Sequence, residues 1–367
     1  MTSPSGDDSV RFGIVGPGKA AELHVAALAR IPGARVTAVA GRSPERAGAL
    51  AAASRARVDP SLDAMIERGG VDAVVICTPH PLHAAQAIAA ARAGLHAVVE
   101  KPMALSPAEC DAMTAAAWES GVVLSVISQR RWYEPVRRIK EAIDGGRIGQ
   151  PGLATVEVLG WRGPEYYAMD AWRGTRTGEG GGVLVNQAVH QLDLVRWFLG
   201  PVVEVDSWTA NVNHPEIDVE DTAVAAVRFA NGALASIVAS NSQRPGLYAR
   251  IHVHGRSGAS VGVETDAGSS FVAGVSAPSP ARNDLWTIPG EESAIDRWPA
   301  EDEAARTGVD LASHYHELQL RDIVGAIRDG RHPAVSGDDG RGAVELIDAI
   351  YRAARSERRV NLSVPEA

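Results

Sequence analysis

The sequence predicts an α/β chain in two domains: a doubly wound parallel sheet, then an α+β domain with a large, mostly antiparallel sheet. Three observations carry this. Short apolar runs alternate with Ala-rich helical segments through residues 10–128. From about residue 150 the pattern turns to strand-like runs, many with period-two alternation, at 153–160, 202–211, 222–230, 233–240, 248–254 and 259–264. A length of 367 residues is long for one domain and comfortable for two. The expected boundaries are a disordered tail at 1–9, a first domain at 10–128 and a second at 129–367.

The first domain opens with RFGIVGPGKAAELHVAALARIPGARVTAVAGRS, residues 11–43. An apolar run at 12–15 meets Gly16, Gly18 and Ala21, which fit G-x-G-x-x-G/A. A helix follows at 19–30, stopped by Pro32 and Gly33, and a second strand at 35–40 completes the unit. Strand, glycine turn, helix and strand in about 30 residues is the length a dinucleotide-binding βαβ unit needs. Gly16 permits the tight turn, Gly18 lets backbone approach a pyrophosphate, and Ala21 lets the helix pack on the sheet. N–H groups at the helix start, with its positive dipole end, face the phosphates.

The tip of the second strand bears on which dinucleotide. It reads Ala40-Gly41-Arg42-Ser43, with no carboxylate to accept from the adenosine ribose. Arg42 and Ser43 offer a guanidinium and a hydroxyl that suit a 2′-phosphate, so NADP(H) is expected over NAD(H). Arg42 stacked on adenine would serve either cofactor, and NAD(H) stays possible.

The pattern then continues on schedule. Helices are expected at 44–54 (N-capped by Ser43), 61–68, 82–93 and 107–119, with strands at 73–77, 96–99 and 122–127. Gly16, Arg42, Thr78 and Lys101 fall at carboxyl ends of strands, where open α/β sheets bind ligands. In the second domain a helix is expected at 134–143, ended by Gly145-Gly146, and another at about 182–198. Asn231-Gly232 signals a hairpin. Residues 278–303 read as surface loop, and 314–328 and 342–354 as amphipathic helices.

Composition excludes several classes. The chain is 45% hydrophobic and 22% charged, with a formal charge of -9, which argues against nucleic acid held by bulk electrostatics. No apolar run reaches the ~18 residues of a membrane span, and MTSPSGDDSV lacks the basic-then-apolar order of a signal peptide. A cytoplasmic location is the expectation. Cys77 and Cys110 make no disulfide framework and have no metal-ligand spacing; buried inert thiols and no metal are expected.

Two clusters could do chemistry. Lys101 follows a buried strand and precedes Pro102, which fixes φ and stiffens the chain. It lies where the nicotinamide end of a cofactor should reach; position alone leaves open a surface lysine paired with Glu100. In GGGVLVNQAVHQLD, Asn186, His190 and Asp193 share a helix face. His190 suits proton transfer to or from an alcohol oxygen. Asn186 can orient a hydroxyl without taking its proton, and Asp193 could hold the imidazole or cap something unrelated. A buried core histidine fits the same residues.

The pieces GIVGPGKAAELH, CTPHPLHAAQA, EKPMAL, WRGTRTGEGGGVLVNQAVHQLDLVRWFLG and HYHELQLRDIVGAIRDGRHPAVSGDDGRGAVELIDAIYRAARS resemble the Gfo/Idh/MocA family across the chain after residue 9. The resemblance implies an N-terminal Rossmann domain and a C-terminal α+β domain whose open sheet makes homodimer or homotetramer contacts. It implies NAD(P)-dependent oxidation or reduction of a small-molecule sugar or cyclitol. Lys101 becomes the substrate-oxygen contact and proton relay, and His190 the general acid/base. The residue four before His190 is often Asp in the family; here it is Asn186, left as a substrate-hydroxyl ligand. Trp172 and Arg173 match a pair bordering cofactor and substrate, and Gln129 takes a place near the nicotinamide. The cofactor contacts expected are Gly16, Pro17, Gly18, Lys19, Ala20, Arg42, Ser43, Thr78, Pro79, His83, Glu100, Lys101 and Gln129. The substrate contacts expected are Asn186, Trp172, Arg173, Trp161 and Arg130, with Arg162, Tyr166, Tyr167 and Arg131 as further candidates. Two other readings remain: a glycosidase that reduces and regenerates tightly held NAD within one turnover, and a non-catalytic NADP sensor.

Overall fold

The computed structural model describes residues 9–267 and 280–363. In chain order the elements are β1 (Val10–Val15), α1 (Lys19–Leu28), β2 (Ala34–Ala40), α2 (Pro44–Ser54), β3 (Arg57–Asp59), α3 (Leu62–Arg68), β4 (Ala73–Ile76), α4 (His83–Arg92), β5 (His96–Val99), α5 (Pro107–Ser120), β6 (Leu124–Val126), α6 (Glu134–Asp144), β7 (Pro151–Leu159) and α7 (Pro164–Ala168). They continue with α8 (Val189–Leu199), β8 (Val202–Ala210), β9 (Thr222–Phe229), β10 (Leu234–Ser240), β11 (Tyr248–Gly255), β12 (Ser260–Ala267), β13 (Arg282–Trp286), α9 (Ala294–Ala305), α10 (Leu311–Asp329), α11 (Gly337–Ser356) and β14 (Val360–Asn361). Packing divides the chain into one unit of 1–104, 108–129 and 312–340 and another of 105–107, 130–311 and 341–367.

The first unit holds a six-stranded parallel sheet in the order β3-β2-β1-β4-β5-β6. Its strands are near-continuous apolar runs because both faces are covered. Ala73–Ile76 is buried at every position, and Phe12, Ile14, Val39, Val75 and Val98 share one core with Val25 and Leu28 of α1. The strand order reverses between β1 and β4, so the glycine turn after β1 lies at the topological switch point. Gly16 has φ +92, and a Cβ there would come within 2.8 Å of the Cys77 carbonyl oxygen and the Thr78 nitrogen. No L side chain fits that approach.

The second unit holds an eight-stranded sheet in the order β13-β12-β11-β7-β10-β9-β8-β14. Only β7 and β10 pair in parallel; the other pairs run antiparallel. The hairpin at Asn231-Gly232 forms as read, with Gly232 at φ +82 and β9 paired to β10. Alternation is strict along β9: Ala223, Ala225, Val227 and Phe229 are buried and the residues between them exposed. The buried face packs with Leu192, Val195 and Leu199 of α8. The opposite face carries the exposed apolar side chains Leu153, Trp208, Val224 and Leu234.

The structure departs from the sequence reading in four places. The second-domain span of 129–367 does not hold as one body, because α10 packs with the first unit. Its Leu320, Ile323 and Val324 join the first core, and Gln319 bonds the backbone at Val126 and Ser128. The expected loop at 278–303 contains β13 and α9, where Trp286 and Trp298 pack edge to face and Ile295 and Trp298 lie against the second core; positions 278–279 lie outside the described residues, as do 1–8 of the expected tail. The helix expected at 182–198 is a π-helical turn, Leu184–Ala188, running into α8. The short strands β3 and β14 gave no readable pattern. Among the described residues no helix is long and apolar enough to cross a membrane.

Candidate active site

In the first unit the strand ends assemble as the glycine motif requires. α1 begins at Lys19, after an N-cap Gly18 that supplies no side-chain hydrogen bond. Helix-start donors are therefore left for a ligand. A Cβ at Gly18 would meet nothing within 4 Å, so the backbone there faces open space. Gln129 Oε1 is buried without a hydrogen-bond partner among the described residues. Open backbone at a helix N-terminus and an orphaned acceptor near another strand end fit a dinucleotide with its pyrophosphate at Gly16, Pro17, Gly18, Lys19 and Ala20.

The β2 tip is shaped by packing as well as chemistry. A Cβ at Gly41 would lie 2.3 Å from Pro17 Cδ, so the glycine turn itself leaves no room for an acid at 41. Arg42 is exposed. Ser43 caps α2, accepting from Arg46 N at 3.3 Å and donating to Glu45 Oε2 at 2.9 Å. Its hydroxyl is thus already engaged in the helix start.

Lys101 sits half-buried after β5, joined to Pro102 by a cis peptide bond. Its backbone N–H donates to Glu100 Oε2 at 3.1 Å. His24 Nε2 lies 2.8 Å from Glu100 Oε1. Burial alone would raise the Glu100 carboxyl, but the His24 hydrogen bond, then His24, His316 and Lys101 in their charged forms at the low pH where a carboxyl titrates, outweigh it and hold it at about 2. His83 is fully buried, between Thr78 O at 2.8 Å from Nε2 and Pro102 O at 2.9 Å from Nδ1. It stands between the Thr78-Pro79 loop and the Lys101-Pro102 turn; its neutral ring donates to one of the two carbonyls, and only the protonated ring donates to both. Thr78 Oγ1 donates to Gln86 Oε1 at 2.6 Å. Cys77 and Cys110 are free thiols, and burial, then Glu100, pushes the Cys77 thiol well up.

In the second unit Asn186 lies in the π turn and His190 in the first turn of α8, both half-buried. π turns recur at functional sites, where the wider turn re-aims side chains. Asn186 Nδ2 donates to Tyr166 OH at 2.7 Å and to Glu179 Oε1. Tyr166 OH also accepts from Arg173 Nη1 at 2.5 Å. The Arg162 and Arg173 guanidinium carbons lie 4.8 and 4.5 Å from the Tyr166 ring centroid. Burial, then Glu179, raises the Tyr166 hydroxyl. Trp172 stacks under Arg173 at 4.7 Å, and Trp161 lies 5.5 Å from the His214 ring.

Three candidate side chains have partners within the unit. Asp193 is buried and takes Arg131 through two hydrogen bonds of 2.9 and 2.6 Å. Arg130 donates to Asp266 Oδ2 at 2.6 Å and Thr265 Oγ1 at 2.8 Å, which matches its charge within the unit. The adjacent arginines therefore hold α8 and β12. Sequence reasoning missed His24, His316 and Glu179. His24 falls six residues after Gly18, on the buried face of α1, and that spacing was the one available signal.

Residues 10–128 match the family described as "Oxidoreductase family, NAD-binding Rossmann fold", and 136–261 match "GFO/IDH/MocA C-terminal domain". The chain is 29% identical over 362 residues to the inositol 2-dehydrogenase of Rhizobium meliloti, covering 97% of this chain and 100% of that protein. It is 32% identical over 227 residues to the 1,5-anhydro-D-fructose reductase of Ensifer adhaerens, covering 61% of this chain and 67% of that one. Among solved structures, the WlbA dehydrogenase of Bordetella pertussis in complex with NADH and UDP-GlcNAcA superposes with a TM-score of 0.86 at 33% identity, covering 98% of this chain and 100% of that one.

Glu179 gives a physical reason for asparagine at 186. An aspartate there would set a second carboxylate against Glu179, which is only 1% exposed, and would remove the amide donor. Asn186→Asp is expected to cost roughly 1–3 kcal/mol at neutral pH. The deficit shrinks as pH falls and the pair takes up one proton, since two such carboxylates cannot both ionise freely. Urea denaturation of both proteins between pH 5 and 8 measures it; an equal or greater deficit at the acid end would refute the explanation.

Proposed function

The chain belongs to the Gfo/Idh/MocA family of oxidoreductases, and from that premise we propose that it moves a hydride between NADP(H) and a CH–OH/C=O carbon of a sugar, sugar derivative or cyclitol, with Lys101 and His190 handling the proton. The observation that carries the reading is the open backbone at Gly18, at the switch-point edge of a sheet that also presents Lys101. The activities named for the inositol dehydrogenase and the anhydrofructose reductase support the substrate class.

Bound cofactor supplies the two-electron hydride acceptor or donor. Lys101 holds the substrate oxygen through its ammonium N–H groups. His190 takes the hydroxyl proton during oxidation and returns it during reduction. Asn186, held by Tyr166 and Glu179 beside His190, is the ligand for a neighbouring substrate hydroxyl. Trp161, Trp172 and Arg173 supply the apolar and cationic wall that a ring with several hydroxyls needs.

A panel of sugars, inositols and their keto forms, followed at the nicotinamide absorbance band, identifies the substrate. On that substrate His190→Ala is expected to lower kcat roughly 10²–10⁴-fold, and Lys101→Met comparably. A small loss at His190 with Lys101 intact would transfer the proton role to Lys101. Turnover of a glycoside with no net absorbance change would replace this reading with internal redox cycling, and cofactor binding without turnover would replace it with a sensor.

Preference for NADP(H) rests on exposed Arg42 and a β2 tip without a carboxylate. A second reading, NAD(H), is favoured by the NADH complex of the similar WlbA dehydrogenase. Dissociation constants for NADPH and NADH, by nicotinamide fluorescence, decide between them. Arg42→Ala is expected to weaken NADPH about 10-fold or more and NADH little, since one charge-assisted contact contributes roughly 1.5–3 kcal/mol. Tighter NADH binding by wild type would settle on the second reading.

The exposed apolar face of Leu153, Trp208, Val224 and Leu234 supports a homodimer or homotetramer formed through the second sheet. Leu234→Glu is expected to lower the assembled mass seen by light scattering; a wild-type monomer would refute the assembly.

A further inference from the structure

The first unit buries a polar cluster that no role described so far uses. His24 on α1, Glu100 after β5 and His316 on α10 place ligand-type atoms within 4.8 Å of one another. His24 is fully buried, with Nε2 2.8 Å from Glu100 Oε1 and Nδ1 lacking a hydrogen-bond partner among the described residues. The ring proton therefore belongs on Nε2, and His24 donates to the carboxylate. His316 packs edge-on against His24 at 5.3 Å and 87°. Glu100 Oε2 accepts from the Lys101 backbone N–H at 3.1 Å. One carboxylate is thus clamped between an imidazole and the turn that carries Lys101.

Lysine is rare here. The chain has it only at 19, 101 and 140, against arginine everywhere else a cation stands. An ammonium can gain and lose its proton near working pH when its surroundings shift it, and a guanidinium cannot. The position where that difference matters is the one beside the clamped carboxylate.

We propose that Glu100, held in place by His24, is a positioning residue whose fixed negative charge keeps the Lys101 side chain protonated to higher pH than its half-buried site would otherwise allow. The inference rests on Lys101 contacting the substrate oxygen: an ammonium kept charged donates to that oxygen throughout the cycle. The groups facing Glu100 are His24 from α1, His316 from α10, His83 from α4, Cys77 after β4, and Lys101 itself. Burial, the leading cause in each, lowers His83 and His316, with His316 at about 4, so both favour the neutral ring, which in His83 carries one N–H shared between two carbonyls. The Cys77 thiol is held protonated. None of these three neutralises the carboxylate, so its charge acts on Lys101. The same side chains do not suit a metal ion, because the direct imidazole–carboxylate bond and the neighbouring ammonium oppose a divalent cation.

Competitive acetylation with acetic anhydride across pH 6–11, read by mass spectrometry, gives the midpoint of Lys101 without any substrate. Lys19 and Lys140, both elsewhere in the chain, serve as internal references. Glu100→Gln is expected to lower the Lys101 midpoint by roughly one pH unit or more, with the references unmoved. His24→Ala should move it in the same direction, and His24→Gln, which keeps an N–H donor, should restore it. An unchanged Lys101 midpoint in Glu100→Gln, or a stoichiometric transition metal on the purified protein, would overturn the proposal. Turnover surviving in Lys101→Met would instead remove the catalytic reading and leave the labelling result intact.

Discussion

The approach of two backbones at Gly16 is the constraint on which the first unit depends. β1 and β4 come so close at their carboxyl ends that a Cβ at Gly16 would contact the Cys77–Thr78 peptide. From there a ring of ties closes around the strand ends. The Thr78 carbonyl is held by His83, and His83 reaches the Pro102 carbonyl. The Lys101 N–H is held by Glu100, and Glu100 by His24, which returns to α1 and so to Gly18. The links are polar groups drawn together at the strand ends, with His24 Nδ1 the buried atom left without a partner among the described residues. The ring fixes the phosphate-facing backbone and the candidate proton donor on one rigid edge, where positional errors of about an ångström cost most.

The second unit solves a different problem, that of holding cations in a low-dielectric setting. Arg131, Arg130 and Arg138 are matched by Asp193, Asp266 and Asp302. Such pairs are costly to break because the surviving charge is left buried. Around Tyr166 the balance is finer: two guanidinium groups lie at its ring, and Glu179 and Asp170 offset them. Asn186 belongs to this balance. It is the uncharged member that lets Glu179 stay a carboxylate while still fixing the geometry beside His190.

Much of the fold was legible in the sequence because its local signals agree with its global plan. Parallel strands read as continuous apolar runs, antiparallel ones as alternation, and α2 could be bounded from Ser43 and Pro44 alone. The parts that escaped have no local signature. β3 and β14 are too short to show a period. β13 and α9 sit in a Pro- and acid-rich stretch whose buried residues, Trp286, Ile288 and Ala294 among them, show no period. The return of α10 to the first unit depends on which core accepts its apolar face, and periodicity cannot say that.

The site was legible to the extent that it is made of backbone and spacing. Gly16, Gly18 and Lys101 lie at the strand ends where the pattern put them, whereas the partners of Asp193, Arg130 and Arg131 could not be read because they are 62 to 136 positions away in the chain. Charge at short range suggested chemistry; charge at long range was structural. His24 and His316 were invisible for the same reason, since only the folded chain brings helices 1 and 10 to Glu100.

The account stands or falls on whether the open backbone at Gly18 is a dinucleotide's phosphate seat. Because a side chain there meets nothing within 4 Å, Gly18→Val should fold and melt nearly as wild type. It should nevertheless bind NADH and NADPH at least about a hundredfold more weakly, since a few charge-assisted contacts are blocked together. Titration of both proteins by nicotinamide fluorescence makes the comparison. A folded Gly18→Val protein with wild-type affinity for both nucleotides would contradict it.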